Sequence, residues 1–281
     1  MSPEPQFWEL HGLDGPEFDA ETVWQAKGPT GALQIPIGVE PKGSTVALDF
    51  SRWTSLDDHV LVVGAPNAGT STLLRTVVLG LCISRSPADA NFLVAEGKAG
   101  LAEFAELAEL PHCTGHVTFN SGEEDEFTRR LAEVVVGAVQ RREHLLRAAG
   151  VASIEDYRQA SKTADDLEDL PETFMVIDDL TWLHTEHFDE AARLLITSGF
   201  RLGLRLIAGV PYPLRETLSP AGYFDRFTAR IALGLSQRQA SSVLGADVPQ
   251  GLTSRGDAYF NYLGGELARV KVISTDRPFV R

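Results

Sequence analysis

Hydrophobic positions along the 281-residue chain fall into short contiguous runs that alternate with stretches of helical period. Residues 58–64, with Val60, Leu61, Val62 and Val63 in succession before Gly64, read as a strand buried on both faces. From Ser71 to about Ser84 the positions Leu73, Leu74, Val77, Val78 and Leu81 share one helix face, and Ser86 with Pro87 stops the pattern. Residues 91–95 give the next strand, 101–110 a short amphipathic helix and 115–119 a short strand. The longest helix follows, with acidic residues 123–126 at its start and Arg141, Arg142 and Arg147 toward its end, both favourable to the helix dipole, until Gly150 ends it. A further helical turn or two at 154–161 and a solvated acidic loop at 165–169 lead to an apolar strand at 173–178, a helix at about 188–200 and a strand at 204–209. The tail reads as three strands, 230–235, 257–262 and 267–273, the last two joined as a hairpin through Gly264 and Gly265.

Repeated strand-helix-strand units with apolar strands imply an α/β fold: a mostly parallel central sheet flanked by helices, with right-handed crossovers and a C-terminal β-hairpin. Residues 1–30, rich in Gly, Pro and acidic side chains, read as a linker, Leu33 to Val39 as an edge strand, and 31–281 as a single domain.

Composition narrows the function classes. Thirty-nine acidic against 25 basic residues give a net charge of −14, which disfavours a binder of nucleic-acid backbones. No apolar run approaches the ~20 residues of a membrane span, and the acidic start is unlike a signal peptide. The two cysteines, Cys82 and Cys113, form neither a C-x-x-C pair nor a metal-type cluster, which suits a reducing cytoplasm.

The chemistry concentrates between the strand at 58–64 and its helix. Gly64, Ala65, Pro66, Asn67, Ala68, Gly69, Thr70, Ser71 and Thr72 have the spacing and setting of a phosphate-cradling loop, G-x-x-x-x-G-K-[ST]. Thr70 stands where the lysine belongs, so the charge that would reach the β and γ phosphates is absent. Backbone amides, the helix N-terminus and Mg²⁺ on the Ser71 hydroxyl still support ATP binding in this reading, with both ligands expected to be weak. The bland alternative is a tight strand-to-helix connection. A second element, the strand ending in Asp178 and Asp179, is Walker B-like: Asp178 would serve Mg²⁺ beside Ser71, and Asp179 stands where hydrolases carry the carboxylate that activates water. Lys98 is a candidate replacement cation, Arg75 is expected to meet an acidic neighbour, and His184 and His187 have metal-compatible spacing without a convincing third ligand.

These segments, with 33–39, Leu110 to His112, 141–147 and 154–158, 203–208, 230–233 and 256–259, resemble in order the FtsK/SpoIIIE class of P-loop motor domains. Within that class the chain is most similar to the tandem ATPase modules of EccC-type type VII secretion motors. The resemblance implies a RecA-like P-loop fold and membership of a membrane-tethered motor working at the inner face of the cell membrane. It also implies other ATPase modules and small helical WXG-type substrates as partners. Thr70 and the segment 209–213, where motor members carry a polar sensor, point to a regulatory or recognition module among the degenerate carboxyl-terminal ones, either the last module or an excised fragment. An active ATPase with an unusual Walker A loop and an FtsK-like DNA translocase are the alternatives.

Overall fold

In the computed structural model, residues 6–28, 32–50, 59–97, 103–118, 124–164, 167–183, 185–212, 227–252, 254–262 and 265–273 are described. Their strands are β1 Gln34–Val39, β2 Thr45–Asp49, β3 Val60–Gly64, β4 Ala90–Glu96, β5 Cys113–Thr118, β6 Glu172–Ile177, β7 Leu204–Pro211, β8 Ala229–Leu233, β9 Asp257–Tyr262 and β10 Ala268–Val272. The helices are α1 Phe7–Leu10, α2 Ala20–Lys27, α3 Thr70–Ser84, α4 Glu124–Ala148, α5 Ile154–Ser161, α6 Glu186–Leu202 and α7 Gln237–Leu244. All ten strands join one sheet in the order β2-β1-β10-β9-β8-β3-β7-β6-β4-β5. From β8 to β5 every pairing is parallel, and from β8 to β2 every pairing is antiparallel. The α/β class and the mostly parallel sheet are therefore as the hydrophobic pattern predicts.

Two apolar layers sandwich the sheet. α3 with the N-terminal segment covers one face, where Phe174, Val176, Phe92 and Val94 pack with Leu74 and Val77. α4, α5, α6 and α7 cover the other, where Met175, Ile177 and Leu206 meet Leu131, Val135 and Leu195. β3 is buried at every position, which is why its sequence is a plain apolar run without alternation. β1 is not the edge: the hairpin partner β2 lies outside it, pairing from Gln34 with Asp49 to Val39 with Thr45. The described part of 101–110 forms a 3₁₀ turn at Ala105–Glu109 in place of a helix, and α7 lies between the strands expected at 230–235 and 257–262, where no helix is expected.

Residues 6–28, within the stretch read as linker, are docked on α3. Phe7 and Trp8 are buried, the Trp24 indole donates to the Cys82 carbonyl at 2.9 Å, and the His11 ring lies against Gly80. That approach requires glycine: a Cβ at Gly80 would meet Ile35 Cγ2 at 2.5 Å and His11 Cε1 at 2.9 Å.

Buried histidines hold the lower part of the sandwich. His59 accepts from the Leu206 amide through Nδ1 at 2.9 Å, and its Nε2–H donates to the Ile196 carbonyl at 3.3 Å. This pattern requires the neutral ring. Burial, aided by the charge of Arg205, pushes the His59 pKa down to about 3. Burial, aided by Lys27, does the same to His11, again to about 3.

Two outcomes follow for stability. Both rings take a proton in the unfolded chain below pH 6.5 and not in the folded one, so their contribution is full above that pH and is lost as pH falls toward 3. Denaturant unfolding should lose stability progressively as pH falls from 6.5 to 5, by about 2 kcal/mol per pH unit for the two rings together, and His11→Phe should make that slope shallower. Gly80→Ala should cost about 1–3 kcal/mol through overpacking against Ile35 and His11, measured as a lower midpoint at an unchanged m-value.

Candidate functional site

The loop between β3 and α3 lies at the carboxyl ends of the parallel strands, where open α/β sheets place ligands. Asn67 has φ 61° and Gly69 φ 107°, so the chain turns twice through the left-handed region before α3 begins at Thr70. The Gly69 value is one that side chains rarely tolerate. Four of the loop's carbonyls accept hydrogen bonds within the protein. Gly64 accepts from the Tyr212 amide at 2.8 Å, Ala65 from Ala68 at 3.0 Å, Ala68 from Gly256 at 3.4 Å and Gly69 from Leu73 at 2.9 Å. The Ala65 amide in turn donates to Leu233 at 3.0 Å. What remains for a ligand is the amide row at the start of α3, which has no intrahelical acceptor and sits at the positive end of a 15-residue helix.

Thr70 lies where the two strands beneath the helix lack side chains. A Cβ on Gly64 would collide with Thr70 Oγ1, and a Cβ on Gly209 would collide with the Asp178 carbonyl and sit 3.0 Å from Thr70 Cγ2. The threonine side chain thus fills a notch between β3 and β7, turned toward the sheet. Ser71 and Thr72 follow on the partly exposed first turn, while Ala68 is buried against Gly234 at the end of β8.

Asp178 directly follows β6, only 4% exposed, and its amide donates to Ala95 on β4 at 3.1 Å. Phe174 and Val176 face the α3 layer and Met175 with Ile177 the other, so strand alternation puts Asp178 on the α3 side with the loop. Asp179 is held differently. Its Oδ1 accepts from the Thr181 amide at 2.9 Å and from the Thr181 hydroxyl at 2.6 Å, capping the turn that follows.

One carboxylate escaped the sequence reading. Glu96 ends β4 beside Asp178, is 1% exposed, and shares the α3 side with Phe92 and Val94. Its Oε1 accepts from the Phe104 amide at 3.0 Å and its Oε2 from His116 Nε2 at 2.7 Å. The sequence signal available for it was an acidic residue closing an apolar strand.

The other candidates separate. Arg75 pairs with Glu106 at 3.0 Å, the acidic neighbour expected for it, and its side chain is only 13% exposed. Lys98 and His184 lie outside the described residues. His187 borders a surface recess with Asp125, Glu126, Arg129 and Thr185, none of them a residue of the loop. Among the described residues no group of three His, Cys, Asp or Glu side chains is arranged to hold a metal by itself, and no helix is long and apolar enough to cross a membrane.

The donor set fits a nucleotide with its magnesium ion. It comprises a cradle closed by Cβ-less residues, a helix N-terminus, one hydroxyl at Ser71 and one buried carboxylate at Asp178.

Comparison with known proteins agrees with this architecture. The FtsK/SpoIIIE family is matched over residues 20–258. The ESX-4 secretion system protein EccC4 of Mycobacterium tuberculosis is 36% identical over 205 residues, 71% of this chain and 16% of that protein. The cytoplasmic domain of the Thermomonospora curvata type VII secretion ATPase EccC superposes with a TM-score of 0.84 at 27% identity, covering 100% of this chain and 33% of that one. A structure of ATPases 2 and 3 of Thermomonospora curvata EccC in complex with a signal sequence peptide shares the fold, at a TM-score of 0.65 and 22% identity, over 89% of this chain and 44% of that one. The chain therefore spans one-third or less of the type VII ATPases to which it is similar in sequence. With a cradle of this geometry on this sheet, and a family match across most of its length, the chain belongs to the FtsK/SpoIIIE family.

Proposed function

We propose that this chain is a nucleotide-binding module of a type VII secretion translocase that holds Mg-ATP weakly, hydrolyses it little, and serves substrate recognition or regulation of the motor. The observation that carries this reading is the combination of an intact backbone cradle with an uncharged, inward-packed Thr70. Amides at the start of α3 attract phosphate through partial charges and the helix dipole. The full positive charge that a lysine brings to the γ-phosphate, an electrostatic contribution made where charge develops in the transition state, has no counterpart at position 70.

The chemistry that Mg²⁺ would supply there is neutralisation of phosphate charge. Ser71 and Asp178 are the residues that would hold it: the hydroxyl stands on the first turn of α3, and the carboxylate lies on the same side of the sheet. Asp179, the residue assigned to water activation, has one oxygen engaged by both donors of Thr181, which favours a turn-holding role and supports slow turnover. Partnership with other ATPase modules and with small helical substrates draws support from the tandem ATPases and the signal peptide named for the Thermomonospora curvata complex. The acidic balance of −14 argues against DNA as the cargo.

The test is a calorimetric titration of Mg-ATP into the protein and into Asp178→Ala, with phosphate release followed in parallel. Binding in the micromolar-to-millimolar range should be weakened at least about tenfold in the variant, with little phosphate released. No heat and no thermal stabilisation at millimolar Mg-ATP would remove the nucleotide from the reading, and rapid turnover abolished by Ser71→Ala would make the chain an active ATPase.

A further inference from the structure

The cradle has lost its own cation, and the wall beside it carries three. The turn from Ser254 to Asp257, closed by the Asp257 amide donating to Ser254 at 3.0 Å, is tied to the loop itself: the Gly256 amide donates to the Ala68 carbonyl at 3.4 Å. It is tied to β8 as well, where the Gly234 amide donates to Asp257 at 3.2 Å and the Gly234 Cα faces the Ala68 methyl so closely that a Cβ would meet it at 2.8 Å. Gly256 itself has φ 79°, a conformation that glycine adopts without strain. The turn thus cannot shift without moving the phosphate loop.

The three cations of this wall differ in how they are used. Arg269 reaches Asp257 at 3.4 Å, and Lys271 reaches the same carboxylate at 3.2 Å while donating to the Arg255 carbonyl at 2.7 Å. Their charges are shared with Asp257, and Lys271 holds the turn by its backbone. Arg255, one residue before the amide that grips the loop, is exposed, and among the described residues its guanidinium makes no hydrogen bond or ion pair. Among the described residues, Arg255 is thus the cation of this wall whose charge is not shared with a carboxylate, and it stands one residue from the amide that grips the loop.

We infer that Arg255 is a nucleotide-binding residue, supplying to the phosphates of a bound nucleotide the positive charge that position 70 lacks. This rests on the nucleotide reading proposed above and adds the source of its charge. A guanidinium offers several donors in a planar fork and stays ionised at any working pH, so it can engage phosphate oxygens from the flank of the loop without the buried path that a lysine at position 70 would need. The arrangement also gives phosphate binding a route to the hairpin of β9 and β10, because the same turn is held by Lys271.

The experiment is a set of titrations with Mg-ATP, Mg-ADP and adenosine at low and at physiological salt, on the protein and on Arg255→Ala and Arg255→Lys, each checked for an unchanged melting temperature. Arg255→Ala should bind Mg-ATP about tenfold more weakly, leave adenosine affinity unchanged and flatten the salt dependence, while Arg255→Lys keeps most of the affinity. Equal Mg-ATP affinity in the alanine variant, or an equal loss for adenosine, overturns the assignment. If the unaltered protein binds adenosine and Mg-ATP equally well, the assignment also fails while nucleotide binding stands. If it binds neither, the nucleotide reading itself fails, and the assignment with it.

Discussion

Everything at the top of this sheet depends on how closely the first turn of α3 can approach β3 and β7. Gly64 and Gly209 make that approach possible by presenting bare Cα atoms, and Thr70 occupies the space they leave. A helix seated so low delivers its unsatisfied amides and its dipole to one small volume beside the buried Asp178. Side chains at either glycine would lift the helix, and the amide row would lose its aim. The same closeness places the Gly64 and Ala68 carbonyls against the Tyr212 and Gly256 amides, so that these acceptors are satisfied by the surrounding backbone.

The sheet divides the work between its two halves. The parallel half, from β8 to β5, puts the loop, Asp178 and Glu96 along one edge on one face, as crossover connections dictate. The antiparallel half contributes no P-loop element, yet it braces the site from the side through the turn before β9. Glu96 has a comparable bracing position at the far side, joining the end of β4 to the Phe104 turn and to His116 on the edge strand β5.

The parallel core was legible in the sequence because burial on both faces leaves unbroken apolar runs such as 60–63, and the cradle because its glycines and hydroxyls have a fixed spacing. Short elements were not legible for the opposite reason. α1 has four residues, fewer than two helical periods, and its burial rests on Phe7, Trp8 and a contact with Gly80, distant in sequence. β2 shows buried positions only at Val46 and Leu48, too brief an alternation to displace β1 from the edge by inspection. α7 is defined by a capping box between Ser236 and Gln239 and by Gly245 as its stop, signals that the apolar strand preceding it obscured. Glu96 needed the register of β4 against β6 to show that it stands beside Asp178.

The first and last of the described strands, β1 and β10, lie side by side and antiparallel, with Gly38 opposite Val272 and the Ile273 amide reaching the Ile37 carbonyl at 3.0 Å. The beginning of β1 and the end of β10 consequently emerge at the same end of the pair. A pull exerted between the flanking chain segments therefore unzips this ladder bond by bond, a mode that resists weakly, and leaves the parallel strands beneath the phosphate cradle unloaded. Tension of this kind would reach the antiparallel flank first, and through Gly256 it would be felt at Ala68 before the core yields.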